Sequence, residues 1–395
     1  MNVTREMRTG GYLASFVVNA NVVRRPRKTR TTCQDNDAST DLRSEIEVAV
    51  RAVRSACRVC FKVQEDVVEC ATEKCDATPV TSADLAIQAI VSLELERCFP
   101  EVRSVIPSRQ KAIGAMYSDR PKTLQDGLIG EEDSSPLHEN EHLAARVTGL
   151  VSSSEADNRV GSPLKPEDVI HAVDRCTDGG TFERFWVLDP IDGTRGFLAK
   201  SGYVVGLALI VQDVCVLSVM GCPAIGSILA SVKGRGSILV SLDEPNEEVS
   251  SRFDTNPFRK GAKSLTSWTF SGPSIPVMPL LLGPNNPPDR LCCGSLIKYF
   301  KVALGHVSAF VQFGIPVEGV SRLQEIKSWD HVAGWLAITE TGGSLTDGRG
   351  NTLKLDGKDP SRVFILDGLI ASSDPSYHDE VREQVLESII KFSTS

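Results

Sequence analysis

Residues 186–197 read Trp-Val-Leu-Asp-Pro-Ile-Asp-Gly-Thr-Arg-Gly-Phe. The apolar residues at the start of this stretch predict a buried strand over residues 185–188 that ends abruptly at Asp189. Pro190 fixes its own φ angle and bends the chain after the strand. The side chains of Asp189 and Asp192 are therefore expected to point into one cavity.

The two residues after Asp192 favour a phosphate ligand. Gly193 lets the backbone approach a phosphate closely, and the amides of Gly193 and Thr194 can donate hydrogen bonds to it. A lone Asp-x-x-Asp would instead be typical of an ordinary turn, because Asp and Gly are common turn formers. The functional interpretation depends on further acidic residues elsewhere in the chain.

Three such acidic elements occur, each at a predicted junction between secondary structures. They are Asp84 at a helix start, Glu131-Glu132-Asp133 after a loop, and Asp330 before a helix. Carboxylates gathered in one cleft repel one another unless cations lie among them. Oxygen ligands suit magnesium, and two ions roughly 3.5–4 Å apart can hold both the attacking and the departing oxygen of a displacement at phosphorus.

Predicted helices and strands interleave along the chain, which indicates a mixed α/β fold. The helices are expected from Asp41 through Cys60, from Thr81 as N-cap to Cys98, over 294–304, and from Asp330 to Gly342-Gly343. The other strands are expected at 203–211, 215–220 and 307–313. Polar stretches predict loops at 101–126, 134–165 and 241–290.

Composition restricts the function classes. The 395 residues carry a net charge of −8, which argues against a general affinity for nucleic acid, and no apolar run is long enough to span a membrane. The eleven cysteines form no disulfide pattern. Cys57 and Cys60, like Cys292 and Cys293, are interpreted as buried free thiols in preference to zinc ligands.

The N-terminal segment 1–40 differs from the rest of the chain. Its first 34 residues contain seven basic residues and one acid, with Ser and Thr interspersed. This pattern is typical of an organelle transit peptide, and the mitochondrion is favoured over the plastid. A disordered basic tail without a targeting role is the alternative.

Taken together, the motifs resemble a known family. Residues 186–197, Gly130–Asp133 and Trp329–Gly334 look like those of the inositol monophosphatase superfamily. Within this superfamily the chain resembles the 3′(2′),5′-bisphosphate nucleotidase branch in three segments, Asp76–Asp84, Arg195–Leu198 and Gly221–Pro223. The resemblance covers roughly residues 41–392, with the motifs in the expected order.

The resemblance implies a role for each matching residue. The metal ligands, for two or three Mg²⁺ ions, would be Glu131, Asp189, the carbonyl of Ile191, Asp192 and Asp330. Asp84 would accept the proton of the water that attacks phosphorus, with Thr194 as its partner. For Asp84 and Asp330 taken alone, a helix cap is the competing interpretation.

Substrate contacts follow less directly from the resemblance. Gly193, Thr194 and Asp330 would lie against the phosphorylated substrate, while Ser295 and Lys298 match positions that contact the nucleotide in this branch. A solvated helix lysine is the alternative for Lys298. Two departures concern specificity: Gln312 stands where the branch usually has an arginine, and residues 268–273 lack the usual Glu and His.

The resemblance thus implies a magnesium-dependent, lithium-sensitive phosphatase that removes the 3′-phosphate of adenosine 3′,5′-bisphosphate, a small phosphorylated nucleotide. The alternatives are an inositol phosphate phosphatase and a non-catalytic nucleotide sensor. The implied fold is a layered α/β/α/β/α sandwich with one lobe at 41–200 and another at 201–395. No oligomeric state is predicted.

Overall fold

The computed structural model describes residues 42–70, 79–99, 126–154, 163–176, 183–243, 248–255, 268–271, 294–312 and 323–394. Leu42–Ser395 forms one compact unit. The predicted transit segment 1–40, the insertion at 101–125 and the cysteine pair at 292–293 lie outside the described residues.

The strands form three sheets. In chain order they are β1 (Gly127–Gly130), β2 (Arg184–Asp192), β3 (Val204–Val211), β4 (Val214–Cys222), β5 (Ser227–Val232), β6 (Gly236–Ser241), β7 (Trp268–Ser271), β8 (Ala309–Gln312), β9 (Leu323–Lys327), β10 (Ser344–Asp347), β11 (Arg362–Leu366) and β12 (Leu369–Ser372). A six-stranded sheet has the order β1-β2-β3-β4-β5-β6, a four-stranded sheet the order β10-β12-β8-β7, and β11 pairs with β9. The β1–β2 and β7–β8 pairs are parallel, and the other pairs are antiparallel.

The helices cover both faces of the larger sheet. In chain order they are α1 (Arg43–Cys70), α2 (Pro79–Cys98), α3 (Ser135–Glu139), α4 (Glu141–Ser152), α5 (Pro166–Asp174), α6 (Thr194–Leu198), α7 (Val249–Thr255), α8 (Leu296–Ala303), α9 (Val332–Glu340) and α10 (His378–Thr394). Helices α1 and α2 pack on one face of the six-stranded sheet, α8 and α9 lie between the two larger sheets, and α10 packs on β12. This is the expected layered α/β/α/β/α arrangement.

Strand β2 shows how the sheet separates two cores. Trp186 and Leu188 belong to the core beneath α1 and α2, whereas Phe185 and Val187 belong to the core shared with α8 and α9. The alternation follows from the two-residue period of a strand. Because both faces are covered, residues 185–188 of β2 are all apolar, as expected for a strand buried on both sides. The six-stranded sheet also crosses residue 200, and the division into lobes there stays a prediction.

Several predicted elements are confirmed. The helices α8 and α9 and the strands β3, β4 and β8 all form within two residues of their expected bounds. The last turn of α9 is followed by Gly342 with a φ of +90°, the left-handed conformation that glycine adopts without strain. Cys57 and Cys60 are buried free thiols, as expected, in the middle of α1.

Other predictions were wrong. The stretch 134–165 is not a loop, because it contains α3 and α4, and Asn140 caps α4 by accepting a hydrogen bond from the Leu143 amide at 3.0 Å. The stretch 241–290 contains α7 and β7. Thr81 is not an N-cap, because α2 already begins at Pro79, a residue favoured in the first turn of a helix.

Candidate metal centre

Two parallel strands deliver the first pair of acidic residues to the same edge of the sheet. In the β1–β2 ladder Gly130 lies opposite Leu188, so the next residue on each side is acidic: Glu131 directly after β1 and Asp189 within β2. The carboxyl ends of parallel strands are where α/β folds place ligands. The convergence of these two residues, 58 positions apart in the chain, follows from the register alone.

A strand irregularity brings Asp192 to the same side as Asp189. Strand β2 does not end at Leu188 as predicted but continues to Asp192, and its register with β3 shifts between the two aspartates. In a regular strand, residues three apart point to opposite faces. The register shift changes the direction of the following side chain, as a β-bulge does, so that Asp192 points to the same side as Asp189. One oxygen of each aspartate and one of Asp330 lie within 4.8 Å of one another.

The start of helix α8 holds Asp192 in place. The Ser295 amide donates to Oδ1 of Asp192 at 3.0 Å, and the Leu296 amide donates to Oδ2 at 2.6 Å. Gly294 has a φ of +78°, and a Cβ there would collide with the Asp192 carboxylate. Main-chain donors at a helix start stabilise an anion, so this carboxylate is fixed in position and orientation. These main-chain donors carry no signal in the sequence.

Asp189 is the clearest indication of a cation. Both of its carboxylate oxygens are buried, and neither has a hydrogen-bond partner among the described residues. Burial, together with repulsion from Asp192, Glu131, Asp330 and Asp84, raises its pKa well above the usual range. A buried carboxylate without donors is costly unless a proton or a metal ion occupies it.

The neighbouring carboxyls show the same electrostatic strain. Loss of hydration on burial is the main cause in each case: it raises the pKa of Asp192 to about 6, and the pKa values of Glu131 and Asp330 to about 7. Repulsion from Asp192 adds to the latter two. Glu131 is exposed when the whole residue is considered, but its carboxyl group lies close enough to the other acids to be repelled by them. An all-oxygen donor set of this kind fits Mg²⁺.

Asp84 lies in the second turn of α2, beside this cluster. Its side chain is buried, and its pKa is raised to about 8 by burial and then by repulsion from Glu132 and Glu131. Thr194 is exposed at the first position of α6, a helix that contacts α2. Gly193, with a φ of +93°, makes the sharp entry into α6. The roles of Asp84, Thr194 and Gly193, and that of the Ile191 carbonyl, stay predictions.

Lys298 is not a solvated helix lysine. It is 3 % exposed, its Nζ donates to the Gly294 carbonyl, and it lies 5.7 Å from the ring centroid of Phe310. Burial lowers its pKa, while attraction to Asp192 opposes that effect. The lysine therefore braces the loop that holds Asp192. Its predicted contact with a nucleotide, like that of Ser295, stays a prediction.

The residues around Asp330 and at the predicted specificity site have distinct environments. His331 is buried, its Nδ1 is 2.9 Å from the Tyr299 hydroxyl, and burial lowers its pKa to about 3, so it is a neutral structural residue. Gln312 ends β8 opposite Ser271 of β7, and its Oε1 is buried without a partner among the described residues. Residues 272 and 273 of the predicted base-contacting loop lie outside the described part.

Comparisons with known proteins show which family this chain resembles. The sequence model of the inositol monophosphatase family matches residues 40–390. An Arabidopsis thaliana protein provisionally named a mitochondrial 3′(2′),5′-bisphosphate nucleotidase is 32 % identical in an alignment of 376 positions that covers 86 % of each chain. A 3′(2′),5′-bisphosphate nucleotidase of Oryza sativa is 30 % identical over 379 residues, covering 88 % of this chain and 93 % of its own.

Solved structures show the same fold. CysQ from Bacteroides thetaiotaomicron, a bacterial member of the inositol monophosphatase family, aligns with a TM-score of 0.53 at 17 % identity over 84 % of this chain and 98 % of its own. Inositol monophosphatase from Anabaena aligns with a TM-score of 0.52 at 17 % identity over 88 % of this chain and 97 % of its own. At these identities the likeness supports the layered fold alone.

Proposed function

The chain belongs to the inositol monophosphatase family, and we propose that it is a magnesium-dependent phosphatase that removes the 3′-phosphate of adenosine 3′,5′-bisphosphate, giving AMP and phosphate. The comparisons confirm the family and the nucleotidase branch expected from the sequence. The observation that carries the proposal is the group of Asp189, Asp192 and Asp330, with both Asp189 oxygens buried and unpartnered.

Each residue of the site has a task in this reaction. Glu131, Asp189, the Ile191 carbonyl, Asp192 and Asp330 would hold the two or three Mg²⁺ ions. Bound divalent ions supply charge neutralisation for the carboxylates and for the phosphoryl oxygens. The amides at Gly193 and Thr194 donate to the phosphate, which orients it.

The proton of the attacking water goes to Asp84. The Thr194 hydroxyl orients that water by hydrogen bonding. Asp84 accepts the proton in its ionised form, which bound cations favour by offsetting the repulsion from Glu131 and Glu132. Asp84→Asn keeps the shape but cannot accept the proton, so phosphate release is expected to fall by about 10²- to 10⁴-fold.

Substrate choice is tested by measuring phosphate release from adenosine 3′,5′-bisphosphate, its sulfated analogue and inositol phosphates, with Mg²⁺ added or withheld. The nucleotide is expected to give the highest kcat/KM. Gln312, a neutral residue at the predicted specificity site, favours the alternative of an inositol phosphate substrate, because an arginine would bind a second phosphate more strongly. A clear preference for inositol phosphates would therefore refute the nucleotidase proposal, and nucleotide binding without phosphate release would establish a sensor.

The organelle assignment rests on the basic segment 1–40 and on the name of the Arabidopsis relative. The described helices include none that is long and apolar enough to cross a membrane. We place the protein in an organelle, and propose the mitochondrion over the plastid. A fluorescent protein fused behind residues 1–40 is expected to enter mitochondria, and a fusion behind residues 41–80 serves as the control.

A further inference from the structure

Gln88 joins two parts of the site that are far apart in the sequence. It lies four residues after Asp84 on α2, so both side chains project from the same face of the helix, one turn apart. It is fully buried. The sequence alone predicts no contact for Gln88, because a glutamine in an apolar helix has no characteristic partner.

The partner is the main chain beside the metal ligand Glu131. Nε2 of Gln88 donates to the Glu132 carbonyl at 2.6 Å, and the Glu132 amide donates to Oε1 at 3.1 Å. Both polar atoms of the amide are thus used by one residue of the loop. This two-point contact resembles the pairing of one strand with another, and it fixes the separation and the twist between α2 and the loop.

The loop is shaped to accept this contact. At Gly130 a Cβ atom would lie 2.6 Å from Oε1 of Gln88, closer than any side chain tolerates. The backbone therefore passes directly over the amide before it reaches Glu131. Glycine at this position allows the close approach, and a larger residue would have to displace the Gln88 amide.

We propose that Gln88 is a positioning residue, which sets the distance between the ligand Glu131 and the proton acceptor Asp84 by tying the Glu131–Glu132 loop to α2. The inference rests on the proposed function, because it gives these two carboxylates their tasks. Hydrogen bonds that orient metal ligands typically change metal affinity or activity by about 10- to 100-fold when they are removed. The same range is expected here.

The test compares Mn²⁺ affinity, measured by titration calorimetry, with kcat for phosphate release at saturating Mg²⁺. Gln88→Met keeps the length of the side chain and removes both hydrogen bonds. Gln88→Asn keeps the amide but withdraws it by one carbon, and it serves if the methionine variant does not fold. Both are expected to bind Mn²⁺ about 10-fold or more weakly and to lower kcat, while KM changes little.

Glu340→Ala is the matched control for general loosening. Glu340, at the far end of α9, also makes a two-point contact with main chain, accepting from the amides of Gly234 and Gly236 at 2.9 Å each. This variant should lose both main-chain contacts and keep the affinity for Mn²⁺. Equal losses of affinity in this variant and in Gln88→Met would overturn the inference, as would wild-type affinity and kcat in both Gln88 variants.

A failure of the proposed function would give results that differ from those of a failure of the positioning role. A wild type that binds Mn²⁺ but releases phosphate from no substrate would refute the phosphatase, and the affinity comparison would still decide the role of Gln88. An active wild type with unaffected Gln88 variants would refute only the positioning role.

Discussion

Without divalent cations, the stability of this protein is expected to fall as the pH rises from 6.5 to 8. In the folded state the pKa of Asp84 is about 8, raised first by burial and then by Glu132 and Glu131, against an ordinary value of 3.8. In this interval the folded protein keeps a proton that the unfolded chain has released. Raising the pH therefore favours the unfolded state until Asp84 ionises near pH 8.

The size of the effect follows from the pKa of this one group. A group protonated only in the folded state loses about 1.4 kcal/mol of stability for each pH unit, so Asp84 alone contributes roughly 2 kcal/mol between pH 6.5 and 8. For a chain of this size that is about 3 °C in Tm. The interval begins at 6.5 because His331, with a pKa lowered to about 3, gives the opposite slope below its ordinary value of 6.5.

The assay is thermal unfolding in EDTA and in excess Mg²⁺ at several pH values, for the wild type and for Asp84→Asn. The two proteins differ only at Asp84, so the difference between their pH slopes reports on Asp84 together with the groups whose pKa its charge raises, Asp189 and Cys60. In EDTA the variant should gain roughly 2 kcal/mol of stability relative to the wild type between pH 6.5 and pH 8. Mg²⁺ should raise the Tm of the wild type more at pH 8 than at 6.5, since protons compete for the ligands. The same pH slope in both proteins would refute the reasoning.

Two further substitutions probe the support around the site. Gly294→Ala forces a left-handed alanine, at about 1–2 kcal/mol, and drives its Cβ into Asp192, so calorimetry should show Mn²⁺ affinity lowered by about 10-fold or more; unchanged affinity would contradict the described contact. Tyr299→Phe removes the hydroxyl that contacts His331 and should cost about 1 kcal/mol in urea unfolding, while Mn²⁺ affinity stays at the wild-type value; a change in affinity would mean that this pair also supports Asp330.

The acidic residues of the site were predictable because their chemistry is local. Asp189 and Asp192 stand in one short stretch, and Asp330 precedes a helix with a clear glycine stop. The sequence also indicates that they should meet, since carboxyl ends of strands share an edge. The way they meet was not predictable, because a shift in the β2–β3 register depends on both strands at once.

The supporting contacts were missed for a common physical reason. Gln88 and Asp192 are held by main-chain groups 44 and more than 100 residues away, and main-chain donors carry no signal in a sequence. The helix α4 was missed differently. Its apolar residues Leu143, Val147 and Leu150 have helical spacing, but the Ser and Glu residues around them have a loop-like composition. For α4 the helical spacing of the apolar residues indicated the structure better than the composition did.

The start of helix α8 has a consequence for how substrate preference can change in this chain. The amides that orient Asp192 and the lysine that braces their loop belong to residues 294–298. Two residues of this segment, Ser295 and Lys298, are also predicted to contact the nucleotide. Substitutions in this segment would alter cation binding together with ligand choice, so selection would remove most of them. Substrate specificity can therefore diverge more readily at neighbouring positions that do not also support the cation site. Gln312 on β8 is one such position.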